Sequence, residues 1–125
     1  MISLILWALA AIANALMDTL ENENFFQSIF HKKEKTLGLR WDLFWYKRES
    51  WKHAPKLLGY KFDAWHMSKS VMIFLWIAST LTFTIKGMIF HSNSTVFNVM
   101  AEIIIRGLMW NLTFSLFYHK LFRLK

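Results

Sequence analysis

The chain has 125 residues, of which 55% are hydrophobic and 18% aromatic, with seven Trp, twelve Phe, one Pro and no Cys. This length suits a single domain over residues 1–125, the wealth of large apolar groups suits a bilayer, and the lack of cysteine excludes disulfides, thiolate zinc sites and cysteine nucleophiles. The formal net charge is +7, and nine Lys or Arg against three acids fall within residues 31–61, between apolar runs. That placement favours anionic lipid head groups over nucleic acid as the partner.

Residues 2–17 are apolar except for Ser3 and Asn14. A secretory signal peptide is the rival reading, but no basic residue precedes the apolar core. The stretch reads as a first transmembrane helix over about residues 2–20. Its polar side is narrow, because Asn14, Asp18 and Glu21 fall within about 60° of one another on a helical wheel.

Residues 31–39 form a basic hinge containing Gly38. Residues 40–52 then interleave aromatics with cations: Trp41, Phe44, Trp45, Tyr46, Arg48, Trp51 and Lys52. Tryptophan and tyrosine favour the head-group layer, and neighbouring Lys and Arg reach phosphates from there. Segment 31–61 is therefore expected to be an in-plane interfacial helix or re-entrant cap, ended by Pro55 and Gly59.

A second span is expected over about residues 65–90 and a third over about 96–122, joined by a polar turn. The triplet Asn93-Ser94-Thr95 in that turn matches a glycosylation acceptor, a pattern common by chance. The third span carries Glu102 and Arg106 at i, i+4, an expected intrahelical ion pair shielding both charges from lipid. The fold class expected is thus an all-α integral membrane protein of three transmembrane helices plus an interfacial aromatic and basic segment. The 31–61 segment and the tail from His119 to Lys125 are basic while the 91–95 turn is not, so the positive-inside rule puts the N-terminus outside and the C-terminus in the cytoplasm.

The stretch Phe62-Asp-Ala-Trp-His-Met-Ser-Lys-Ser70 opens the second span and places Asp63, His66 and Ser70 within a helical wedge of about 60°. In this topology Asp18, Glu21, Asp63, His66 and His119 all reach the cytoplasmic interface. Three readings of these side chains stand. The first is structural, with hydrogen bonds between helices fixing their packing. The second is a divalent metal site for Zn, Fe or Mn, with Asp18, Glu21, Asp63, His66 and His119 as ligands. The third is metal-free acid–base catalysis by Asp18, Asp63 and His66 on a lipid head group, or a proton relay. No nucleophile elbow, zinc-protease, P-loop or dinucleotide motif is present.

Asn14-Ala-Leu-Met-Asp18-Thr, the Trp-rich stretch 41–51, Asp63-Ala-Trp-His66 and the closing Phe117-Tyr-His-Lys-Leu-Phe-Arg123 together resemble a group of small bacterial and phage-borne polytopic membrane proteins. The resemblance covers most of the chain and implies a membrane fold without an activity. The function expected is a cytoplasm-facing polar or metal site acting on lipid-type or amphiphilic substrates. The alternative is a non-catalytic subunit, assembly factor or homo-oligomeric pore. So small a chain encloses little on its own, which favours a homo-oligomer or larger membrane complex in either case.

Overall fold

A computed structural model of the chain describes residues 1–21, 23–31, 35–36, 39–40, 44–47, 50, 52, 56–57, 60–61, 63–83, 89 and 92–124. Three long helices dominate: α1 (Ile2–Glu21), α2 (Ala64–Leu81) and α3 (Thr95–Leu116), the last continued by a π-helical turn, Phe117–Leu121. A short 3-10 turn, Glu23–Gln27, follows α1. Two minimal antiparallel ladders lie between α1 and α2. In the first, β1 (Lys35–Thr36) pairs with β2 (Leu39–Arg40), and in the second, β3 (Lys56–Leu57) pairs with β4 (Tyr60–Lys61). Trp41 and Trp51, part of the expected aromatic and basic segment, fall outside the described residues. Of that segment, Ser50 N–H donates to Tyr46 O at 2.7 Å, one helical turn back.

The helices run up, down and up. Ser3 at the start of α1 meets Ser79 near the end of α2, and α1 packs most extensively on α2. Small side chains on α1 permit that close approach: Ala10, Ala11, Ala13 and Ala15 are all buried. Helix α3 runs parallel to α1, because Arg106 meets Ser3 while Phe122 meets Phe30 just past α1. Residues 23–31 and the C-terminal end therefore share one end of the bundle, and the last turn of α2 and the first turns of α3 lie toward the other. A cluster of Leu20, Phe25, Tyr46 and Ala64 fills the first end, with Leu16, Phe30, Phe44, Trp45 and Trp65 packed against it.

Local chemistry sets the helix ends. Asp63 adopts extended backbone angles (φ −128°, ψ 164°) and caps α2 through its carboxylate. Ser94, the middle residue of the Asn93-Ser94-Thr95 triplet, caps α3 by accepting from Phe97 N–H at 3.3 Å. Helix α2 stops at Leu81, inside the stretch expected to run to residue 90. There Thr80 donates to Trp76 O at 2.9 Å and Thr82 to Ala78 O at 2.7 Å, so hydroxyls compete for the helix's last carbonyls.

Among the described residues, two helices are long and apolar enough to cross a membrane: Ile2–Glu21, with mean hydropathy 1.7, and Thr95–Leu121, with 1.3. Helix α2 does not join them, since His66, Ser68, Lys69 and Ser70 crowd its first two turns. Only 6% of the apolar window in α3 is buried. Phe74 and Ile77 on α2 and Ile103, Leu108 and Leu112 on α3 all face outward. Such uncovered apolar helix faces suit lipid rather than water.

Candidate functional site

The α2 N-terminus carries the arrangement that the sequence singled out. As the cap of α2, Asp63 accepts the His66 N–H at Oδ1, 2.9 Å away. Its other oxygen, Oδ2, lies 2.6 Å from His66 Nδ1. The spelling Asp-Ala-Trp-His thus supplies the N-cap half of a capping box, while the His in the third helical position turns back to the Asp63 carboxylate instead of to its backbone N–H. The Asp63 side chain is 0% exposed and the imidazole 43% exposed. A carboxylate can only accept, so Nδ1 carries the shared proton. Nε2 is then the nitrogen without a proton when the imidazole is neutral. The Asp63 charge is also favoured by the positive end of the α2 dipole.

A second contact chain links this dyad to α1. Glu21, the last residue of α1, forms an ion pair with Lys47. Lys47 Nζ stands 3.9 Å from the centroid of the Trp65 ring, and Lys69 Nζ 5.0 Å from it. The Trp65 ring in turn meets the His66 imidazole edge-on, with centroids 5.0 Å apart. Ser70, third member of the predicted wedge, donates to His66 O at 2.9 Å and is occupied by its own helix.

The remaining predicted residues are placed as follows. Asp18 is half-buried in α1, and His119 is exposed on the π-helical turn with its ring 4.8 Å from that of Tyr118. Among the described residues, no three of His, Asp or Glu are grouped to hold a metal ion. Asp18, Glu21, Asp63, His66 and His119 therefore do not form one ligand set. Glu21 is committed to Lys47, and both oxygens of Asp63 are committed to the helix terminus and the imidazole. The structure brings together Asp63 with His66, and Glu21 with the neighbouring indole by way of Lys47.

The opposite end of the bundle holds a cluster that sequence reasoning found only in part. The expected ion pair forms, with Arg106 Nη2 donating to Glu102 Oε1 at 3.2 Å. The same guanidinium also donates to Ser3 Oγ at 3.0 Å and to Ser79 Oγ at 3.4 Å. Each serine hydroxyl donates to the other's carbonyl, Ser3 to Ser79 O at 2.7 Å and Ser79 to Ser3 O at 2.8 Å. Trp7 Nε1 donates to Arg106 O at 3.1 Å. A groove of about 210 Å³ opens beside this cluster, between Trp7, Thr80, Phe83 and Ile103. Every polar group of the cluster has a partner on another helix or within its own, the arrangement of a three-helix lock. Ser3 and Ser79 were the missed members. Their signal was their place at the same end of an up-and-down helix pair.

Comparison with protein-family models, with curated proteins and with solved structures found no match for this chain.

Proposed function

We propose that α1 and α3 cross the membrane and that the less apolar α2, packed antiparallel on α1, crosses with them, making a three-span protein, N-terminus outside and C-terminus cytoplasmic, that acts at the cytoplasmic head-group layer on lipid-type or amphiphilic substrates. The observation that carries the reading is the Asp63–His66 dyad: a fully buried carboxylate fixes Nδ1 of a half-exposed imidazole. When the ring is neutral, this contact leaves the lone pair on Nε2. It can take a proton from an attacking water or a head-group hydroxyl, and Asp63 then stabilises the imidazolium. Lys47 and Lys69 lie over the Trp65 indole, which meets the imidazole edge-on, and supply positive charge where a head group would approach.

The experiment is turnover of a lipid panel by the full chain in nanodiscs, read by mass spectrometry. Product formed by the native protein and reduced about 10²–10⁴-fold in His66→Gln supports general acid–base catalysis. Equal turnover by both proteins, or none by either, contradicts it.

A second reading has its own observation. The nearly uncovered α3 face suits a non-catalytic subunit or homo-oligomeric assembly, in which another transmembrane helix covers Ile103, Leu108 and Leu112. Single-molecule photobleaching in vesicles distinguishes the two, since this reading requires more than one copy per particle or a co-purifying membrane partner.

A further inference from the structure

The chain's last residues fold back on the connector that follows α1. Ile29 N–H donates to Phe122 O at 3.0 Å and Leu124 N–H to Gln27 O at 2.8 Å, with Ser28 opposite Arg123 between them. The π-helical turn ends against this clamp, with Phe122 N–H donating to Phe117 O at 2.8 Å. Aromatic rings brace it from inside: Trp45 on Phe30 at 4.8 Å, Phe30 on Phe122 at 5.2 Å and Phe122 on Phe117 at 5.5 Å. Ser28 is fully buried and donates to Phe25 O at 2.7 Å.

The outer side of the clamp has a different character. Phe26, Ile29, Leu121 and Leu124 are exposed by 50%, 43%, 50% and 57%. All four lie within two residues of the Ser28–Arg123 bridge. Cations border them: Lys120 is exposed in the π-helical turn, Arg123 lies over the Tyr118 ring at 5.8 Å, and residues 119–125 contain no acid. The patch also sits where the two helices long enough to cross a membrane both end, at Glu21 and Leu121. Large apolar side chains beside cations at that level match the boundary between acyl chains and anionic head groups.

We infer that the clamped segments 26–29 and 121–124 form a membrane-surface foot, with Phe26, Ile29, Leu121 and Leu124 in the acyl boundary of an anionic leaflet and Lys120 at its phosphates. The inference rests on the membrane reading proposed above and is independent of the chemistry at His66. It extends the interfacial part of the molecule beyond the expected 31–61 segment, and the clamp is what joins the connector after α1 and the C-terminal residues into one surface.

The native chain has no cysteine, so single cysteines report cleanly. Ile29→Cys and Leu124→Cys carry an environment-sensitive fluorophore in the full chain, reconstituted in vesicles of phosphatidylcholine with or without phosphatidylglycerol. Leu112→Cys on the outward face of α3 and Asn93→Cys in the polar turn serve as references. The foot predicts blue-shifted emission at both clamp sites, protection from aqueous iodide relative to Asn93→Cys, and strongest quenching by lipid labels about 5–10 Å below the phosphates. Lys120→Glu should weaken these signatures in the anionic vesicles only. Iodide access equal to that of Asn93→Cys overturns the foot. So does a blue shift that grows with the protein-to-lipid ratio, which would make a second copy the occupant. A Leu112 label that no lipid quencher reaches would instead defeat the membrane reading itself, and quenching at Leu112 with free iodide access at the clamp would defeat the foot alone.

Discussion

Arg106 donates to Ser3 Oγ at 3.0 Å, and this bond ties the twelfth residue of α3 to the second residue of α1. The earlier turns of α3 therefore rise past the N-terminal end of α1. Trp7 Nε1 donating to Arg106 O fixes the same register from one turn deeper in α1. The charge pair with Glu102 thus lies at a three-helix junction, where its hydrogen bonds hold α1, α2 and α3 together.

Removing one member of that pair should be worse than removing both. Arg106→Leu leaves Glu102, whose side chain is 4% exposed, without its counterion and should cost about 3–5 kcal/mol. The double change Glu102→Leu/Arg106→Leu should cost much less, because Ser3 and Ser79 still satisfy one another through reciprocal bonds. Denaturation in detergent micelles measures both. Equal losses for the single and double variants would contradict the pairing.

The serine pair should behave as a unit. Ser3→Ala and Ser79→Ala each remove one bond between α1 and α2, and each should cost roughly 0.5–2 kcal/mol. Their effects should not add, since each hydroxyl donates to the backbone of the other residue and both accept from Arg106. A double-mutant cycle that closes additively would remove the lock.

Asp63 has two roles that separate by substitution. Asp63→Ala deletes the cap of α2 and should cost about 0.5–2 kcal/mol. Asp63→Asn keeps an acceptor for His66 N–H, so it should melt close to the native protein while losing the charge beside the imidazole. Melts of the two variants that coincide would mean that the carboxylate charge, rather than the cap, holds this terminus.

Part of this was legible beforehand. The helical class, the outer two long apolar helices and the Glu102–Arg106 pair follow from composition and i, i+4 spacing alone. The Asp63–His66 pairing was also expected, but the helical wheel gave the wrong reason for it. Asp63 is an extended cap residue outside the helix, and it reaches His66 through capping geometry rather than through a shared helix face. The links from Glu21 to Lys47 and from Lys47 to Trp65 span long stretches of chain, and no local pattern encodes them. The Ser3–Ser79–Arg106 register depends on how far α3 slides along α1, which helix periodicity leaves open. The two small ladders did carry a signal: their sequences, Lys35-Thr-Leu-Gly-Leu-Arg40 and Lys56-Leu-Leu-Gly-Tyr-Lys61, share one pattern with Leu-Gly between the paired residues. Gly38 and Gly59 were expected only as a hinge and a terminator.

Orientation has a separate test. The basic 31–61 segment and tail predict a cytoplasmic C-terminus and an external N-terminus. A fluorescent protein fused after Lys125 should mature, and a reporter active only outside the cytoplasm should work when fused before Met1. Both termini on one side would contradict three spans.

Proton handling at the α2 N-terminus requires that Asp63 hold the His66 ring in one tautomer, with Nε2 free. Imidazole nitrogen-15 resonances of the labelled full chain in nanodiscs measure this directly, with exposed His119 as an internal reference. The prediction is that the neutral form of His66 is held in the tautomer protonated at Nδ1, a bias lost in Asp63→Asn. A His66 signal that matches His119 and is indifferent to Asp63→Asn would contradict the dyad, and with it the acid–base role.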